Sequence, residues 1–272
     1  METSTALQQF EELAAVEGDG LDLAECAFTA AAAMRADVDV AAEVKRLDDL
    51  VAGADEFLRD ADEGLARVNG LNEYLFDVLE FAGNVDDYYD PRNSLLNEVI
   101  DLRVGIPITL SLIYIVVGRR HGMPLVGIGM PGHFLVRHEH ETAFFIDPYN
   151  RGVILSEAEC VRQFERINSG MRWDPAFLAP IGDRAIVARM LRNLGAIWAQ
   201  RQEFELAERV MTMLIALQPR EPGHKRDRGV LRYRQGKTTA ALDDLESYID
   251  PDNAVPDAWY VRRLVDRIRD EG

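Results

Sequence analysis

The stretch GIPITLSLIYIVVGRRHG, residues 105–122, constrains this chain more than any other. Gly105 and Pro107 open a helix there, because a first turn tolerates proline, whose missing N–H would be unpaired anyway. Gly122 closes it and Pro124 prevents its return. Between them, Ile108, Leu110, Leu112, Ile113, Tyr114, Ile115, Val116 and Val117 leave almost no polar face. Such a helix must be buried all round. It is too short to span a membrane and carries Thr109 and Ser111, so it reads as a core helix on which other elements pack.

Beyond Pro124 the chain alternates in the manner of strands, over 125–130, 133–138 and 143–147. Pro131 and Gly132 suit the central positions of a type II turn, Gly supplying the positive φ. The polar segment 139–142 lies between apolar runs and reads as a hairpin loop. Centring that loop on His140 sets His133 opposite Asp147, with side chains about 5 Å apart. A carboxylate beside an imidazole orients the ring, the base-plus-orienter half of a nucleophilic triad. His133 and Asp147 are therefore the candidate catalytic pair.

At 272 residues the chain has room for two domains, or one large core with an appendage. A formal charge of −17 argues against nucleic acid or an anionic membrane as partner. The two cysteines, Cys26 and Cys160, make neither a disulfide framework nor a metal pattern. Each sits in a helical stretch and reads as packing. No cofactor or metal is expected. The start METSTALQQF has no basic region followed by an apolar one, so the expected location is cytoplasmic.

Residues 4–68 read as several helices. Leu7, Phe10 and Leu13 make one stripe, and Val44, Leu47 and Val51 another; an alanine-rich segment lies between them, and Gly18, Gly20 and Gly53 punctuate. A helix over 71–81 puts Tyr74, Val78 and Phe81 on one face. The loop GNVDDYYDPRNS holds Asp86, Asp87 and Asp90 without calcium-loop spacing; Asp90 or Asn93 caps the helix that runs to Arg103. Ser156 with Glu159 forms a capping box for a helix over 157–167, preceded by a short strand at 153–155. Residues 168–183, with two prolines and two glycines, read as an interdomain connection. Beyond them a helical tail repeats weakly: Gly195 and Gly229 are 34 residues apart, as are Leu206-Ala207 and Ala240-Ala241. That is the tetratricopeptide period, although Pro219 and Pro251 end successive units 32 apart. Two hairpins and a last helix are too few to stand alone, so the tail should dock through Leu191, Leu194, Trp198 and Leu206. The fold class is α+β, mostly helical, with a small antiparallel sheet.

The order of helix, Gly-Met-Pro turn, strand with His and strand with Asp-Pro resembles the transglutaminase-like (papain-like) fold. The phrases YYDPRNSLLNEV, GIPITLSLIY, PGHFLVR and IDPYNRG resemble the SirB-type bacterial family, which joins such a domain to a tetratricopeptide-like tail. The resemblance implies N-terminal helices over 1–70, the transglutaminase-like domain over 71–183 and helical repeats over 184–272. It also implies a catalytic Cys two residues after a Gly at the helix start. Laid on Gly105-Ile106-Pro107, the pattern puts Pro107 at the nucleophile position.

Three functional readings are open. The first is a non-catalytic domain that binds a protein or peptide, His133 and Asp147 being vestigial. The second is a hydrolase or acyltransferase using the same pair with water or a replacement nucleophile. Thr109 would face away, about 200° round the helix from Pro107, and Ser111 lies on nearly the same face but about 6 Å deeper. The third is an adaptor whose tail docks a peptide, with Arg226, Asp227 and Arg228 clustered at a helix start.

Overall fold

A computed structural model describes residues 2–16, 20–59, 64–250 and 255–271. Gly18 and Pro251, two of the expected punctuating residues, lie outside the described residues. Two helices are buried all round. One is α7 (Pro107–Arg120), every residue of which from Pro107 to Gly118 is buried. The other is α2 (Leu23–Met34), buried except at Glu25. Alanines occupy half of α2, and small side chains let neighbouring backbones approach closely. Asp22 caps it, accepting from the N–H groups of Ala24 and Glu25.

Around these two lie α1 (Thr3–Ala14), α3 (Val40–Gly53), the short α4 (Asp55–Leu58), α5 (Leu65–Asn72) and α6 (Leu96–Leu102). After α5 the chain widens into π-helix over Glu73–Val78, and Leu79 N–H reaches back five residues to Tyr74 O. The wider turn moves the buried face. Tyr74 and Phe81 stay buried, but Val78 is 53% exposed, which corrects the expected common face. A two-residue parallel pair, β1 (Ala82–Gly83) with β2 (Val104–Gly105), ties this segment to the entrance of α7.

The main sheet is antiparallel throughout, in the order β6-β5-β4-β3-β7. Its strands are β3 (Leu125–Ile128), β4 (Leu135–His138), β5 (Phe145–Asp147), β6 (Val153–Leu155) and β7 (Pro180–Ile181). One face packs on α7. The other covers α8 (Glu157–Ile167), whose Ser156–Glu159 capping box forms as expected. Residues 168–183 do more than connect. They add β7 to the sheet edge, and Trp173, Phe177 and Leu178 pack with Phe164 and Cys160.

The tail is two helical hairpins, α9 (Asp183–Gln200) with α10 (Phe204–Leu217) and α11 (Gly223–Arg234) with α12 (Thr238–Tyr248), followed by α13 (Ala258–Glu271). The 34-residue repeat is physical. Gly195 and Gly229 sit where the helices of each hairpin touch; a Cβ on Gly229 would lie 2.8 Å from Leu245 Cγ, and one on Gly195 3.0 Å from Val210 Cγ1. Ala207 and Ala241 are both fully buried. Leu191 and Leu194 belong to the main core, and Trp198 and Leu206 pack partly buried against it, so α9 and α10 are docked. A separate apolar cluster joins α12 to α13.

Candidate functional site

Pro131 and Gly132 make the turn that delivers His133: His133 N–H donates to Met130 O at 3.1 Å, and Gly132 has φ of 75°. The expected strand over 133–138 begins only at Leu135, and Val136 pairs with Ile146. Asp147 therefore lies opposite Leu135, and the expected pairing with His133 is off by two residues. A slip of two keeps every side chain on its own face. The two groups meet diagonally, His133 Nε2 donating to Asp147 Oδ2 at 2.8 Å.

Asp147 closes β5 and caps the 3-10 turn Pro148–Asn150. Its Oδ2 also accepts from Asn150 Nδ2 at 2.7 Å and Gln163 Nε2 at 3.1 Å, and its Oδ1 from Asn150 N–H at 3.2 Å. Burial alone would push this carboxyl up. The hydrogen bond and charge of His133, with those of Asn150 and Gln163, outweigh burial and hold it below the usual carboxylate range. The ionised carboxylate only accepts, so the proton of that bond sits on Nε2. Nδ1 has no hydrogen-bond partner among the described residues. Tyr149 stands edge-on to the imidazole, with centroids 5.9 Å apart, and its hydroxyl donates to Asn84 O at 3.0 Å.

His133 lines a cleft of about 160 Å³ with Tyr88, Pro107, Ile108, Gly132, Phe134, Arg189 and Asn193. Pro107 is the first residue of α7, and no side chain caps that turn from Ile106. Thr109 faces inward, its hydroxyl accepting from Ile106 N–H and donating to Asn93 O. Ser111 is fully buried, has no hydrogen-bond partner among the described residues and does not line the cleft. Neither cysteine lines it; both thiols are buried and pushed up to about 12, mainly by burial, Cys160 also by the charge of Asp147. In the tail, the Arg226, Asp227 and Arg228 cluster is engaged internally: Arg226 pairs with Asp227 and Asp257, and Arg228 with Asp244. A larger groove of about 900 Å³, rimmed by Glu12, Asp22, Glu25, Asp37 and Asp39, lies away from the His–Asp pair.

Several cleft residues have no clear mark in the sequence. Tyr88 is placed by a loop that Asn93 holds, its Nδ2 donating to Asp87 O and Tyr88 O while its Oδ1 accepts from Asn84. Asp90 caps the short 3-10 turn before α6, so α6 itself starts at Leu96 and ends at Leu102. Arg189 and Asn193 come from α9, four residues apart on one face. The one signal for them is an arginine inside the apolar run AIVARMLRNLGAIW.

Residues 41–192 match the transglutaminase-like superfamily, and residues 194–266 match the tetratricopeptide repeat. A UPF0162 protein of Xylella fastidiosa is 36% identical over 253 residues, covering 89% of this chain and 88% of that one. F-box only protein 21 of Mus musculus is 28% identical over 62% of this chain and 28% of its own length. Among solved structures, menin aligns with a TM-score of 0.46 at 10% identity, covering 91% of this chain and 69% of menin. Among the described residues no helix is long and apolar enough to cross a membrane. Family core, tandem repeat and near full-length similarity agree: the chain belongs to the transglutaminase-like superfamily and, within it, to the bacterial UPF0162 proteins with a tetratricopeptide-repeat tail.

Proposed function

We propose that this protein works by binding a protein or peptide segment in the cleft over α7, without a covalent intermediate. Pro107 carries the reading. It lines the cleft beside His133 at the first residue of α7, where the family resemblance implies the nucleophile, and a proline ring has no nucleophilic atom. A thiolate at that helix end would be stabilised by the dipole and the imidazole. Cys26 and Cys160 are buried elsewhere with raised pKa and supply no such thiolate. The repeat tail supports protein interaction as the mode of action.

One observation favours a second reading. His133 lines the cleft, is oriented by Asp147 through Nε2 and has no hydrogen bond at Nδ1 among the described residues, the arrangement of a general base for water. Ser111, fully buried and outside the cleft, contributes to neither reading. The test is turnover of amine-transfer and amide substrates by wild type, His133→Ala and iodoacetamide-treated protein. The binding reading expects no turnover above background in any of them. Turnover lost in His133→Ala but resistant to iodoacetamide would establish the water route. Turnover that iodoacetamide abolishes would overturn both.

A further inference from the structure

The cleft holds a set of polar groups that the His133–Asp147 pair does not use. Arg189 gives Nη2 to Met130 O at 2.8 Å and to His133 O at 2.7 Å, and its guanidinium lies 5.3 Å from the Phe134 ring centroid. No carboxylate lies within ion-pair distance of it among the described residues. In the tail, by contrast, Arg228 and Arg232 both pair with Asp244. A desolvated cation without a counter-ion is costly, and an arriving anion offsets that cost. Burial lowers the Arg189 pKa, with the Tyr88 hydroxyl acting the other way, as expected of such a charge.

Asn193, one turn along the same face of α9, has no hydrogen bond from its amide among the described residues, and neither has the Tyr88 hydroxyl. Pro107 and Ile108 form the wall at the positive end of α7. The Asn193 amide and the Tyr88 hydroxyl can each donate or accept, so the Arg189 charge sets the sign the cleft prefers. Nδ1 of His133, on a side chain only 5% exposed, is the ring nitrogen that Asp147 does not engage. Asp147 behind it is no rival for a cation or a donor, since both its oxygens are already engaged by His133, Asn150 and Gln163. The space, about 160 Å³, equals roughly five waters and suits one small residue rather than a long side chain.

From this geometry we propose that the cleft holds the C-terminal residue of a peptide. Its carboxylate sits among Arg189, Asn193 and Tyr88, and its amide N–H points to Nδ1 of His133. This rests on the binding function above and names the chemical group that is bound. Arg189 thus has two tasks: it clamps the Met130–His133 turn through two carbonyls and presents its remaining N–H groups to the ligand.

The experiment uses the full chain, labelled with ¹⁵N at histidine and arginine, and two probes: N-acetylglycine and N-acetylglycinamide. The acid should shift the His133 ring and Arg189 Nε signals saturably. The amide should bind about tenfold more weakly or worse, the loss of a hydrogen bond to a charged group. Arg189→Gln should weaken the acid to a similar degree. If that variant fails to fold, Asn193→Ala with a weaker acid response, and the acid–amide contrast in wild type, still decide. A second arm passes randomised pentapeptides over immobilised protein, with free or amidated C-termini. Selective retention of free-acid peptides that N-acetylglycine competes off assigns the peptide terminus. N-Acetylglycine binding with no peptide retained would overturn the peptide assignment. Equal retention of both libraries would overturn the carboxylate while leaving peptide binding intact. No saturable shift and no retention would overturn both this inference and the binding function.

Discussion

The Asp147→Ala substitution removes an acceptor that three side chains share. Asp147 is 1% exposed, and Oδ2 takes hydrogen bonds from His133, Asn150 and Gln163. Asn150 is exposed and can turn to water. His133 and Gln163 are buried and cannot, so each is left with a buried donor costing about 1–3 kcal/mol. Breaking one side of a buried hydrogen-bonded pair costs about 3–5 kcal/mol by the same reasoning. For a chain of this length that amounts to a fall in Tm of roughly 10 °C. Thermal and urea unfolding followed by circular dichroism measure it. The double variant with His133→Ala removes one of the stranded donors, so its loss should fall short of the summed single losses by about 1–3 kcal/mol. An Asp147→Ala protein within about 1 kcal/mol of wild type, or strictly additive single losses, would refute the account of the pair as a buried, mutually satisfied unit.

The same structure sets three further outcomes. Asp147 titrates below the ordinary carboxylate range when folded, so its contribution is present above pH of about 4 and lost as pH falls through the depressed folded value; urea midpoints from pH 6 to 3 should fall less steeply in Asp147→Asn than in wild type. Cys26 and Cys160, fully buried and pushed up to about 12, should resist Ellman's reagent at pH 8 in the native protein and react in 6 M guanidinium; rapid native labelling of either would contradict their placement. Gly229→Ala puts a Cβ 2.8 Å from Leu245 Cγ and should destabilise the α11–α12 hairpin by about 1–3 kcal/mol, read as the loss of its amide protection in hydrogen exchange.

The features legible in the sequence are those with local causes. Helix α7 comes from a run with no polar face, the Met130–His133 turn from Pro131-Gly132, and the start of α8 from Ser156 and Glu159. The hairpin register is not local. No Asn-Gly or comparable turn fixes the 139–144 loop; instead His138 Nδ1 accepts from the N–H groups of His140 and Glu141, and packing moves the loop centre along. The face of the His–Asp pair is nonetheless readable, because a shift of two residues preserves side-chain parity. The π-helix over Glu73–Val78 is invisible to a 3.6-residue pattern, which is why Val78 leaves the face that the pattern assigns it. The cleft is legible only in part, since Tyr88, Arg189 and Asn193 arrive from a loop and a tail helix far from His133 in sequence.

That dispersal explains why the phrases carrying the family resemblance look unrelated along the chain and meet in space. YYDPRNS supplies Tyr88 and the Asn93 brace that holds it; GIPIT supplies the helix start; PGHF supplies the turn, the imidazole and the ring under Arg189; DPYN supplies the carboxylate, its capping amide and the tyrosine edge. The remaining side comes from α9, the first helix of the repeat tail, whose Ile186, Val187, Leu191 and Leu194 belong to the same core as α2 and α7. The start of the tail is therefore part of the main core rather than an appendage to it. Its first helix, α9, lines the cleft through Arg189 and Asn193. The second hairpin is held to the first by Glu208, which pairs with Arg232 and Lys237, while Arg232 and Arg228 share Asp244. The cleft is thus joined through α9 to the stacking of α10 on α11 by packed helices rather than by a linker.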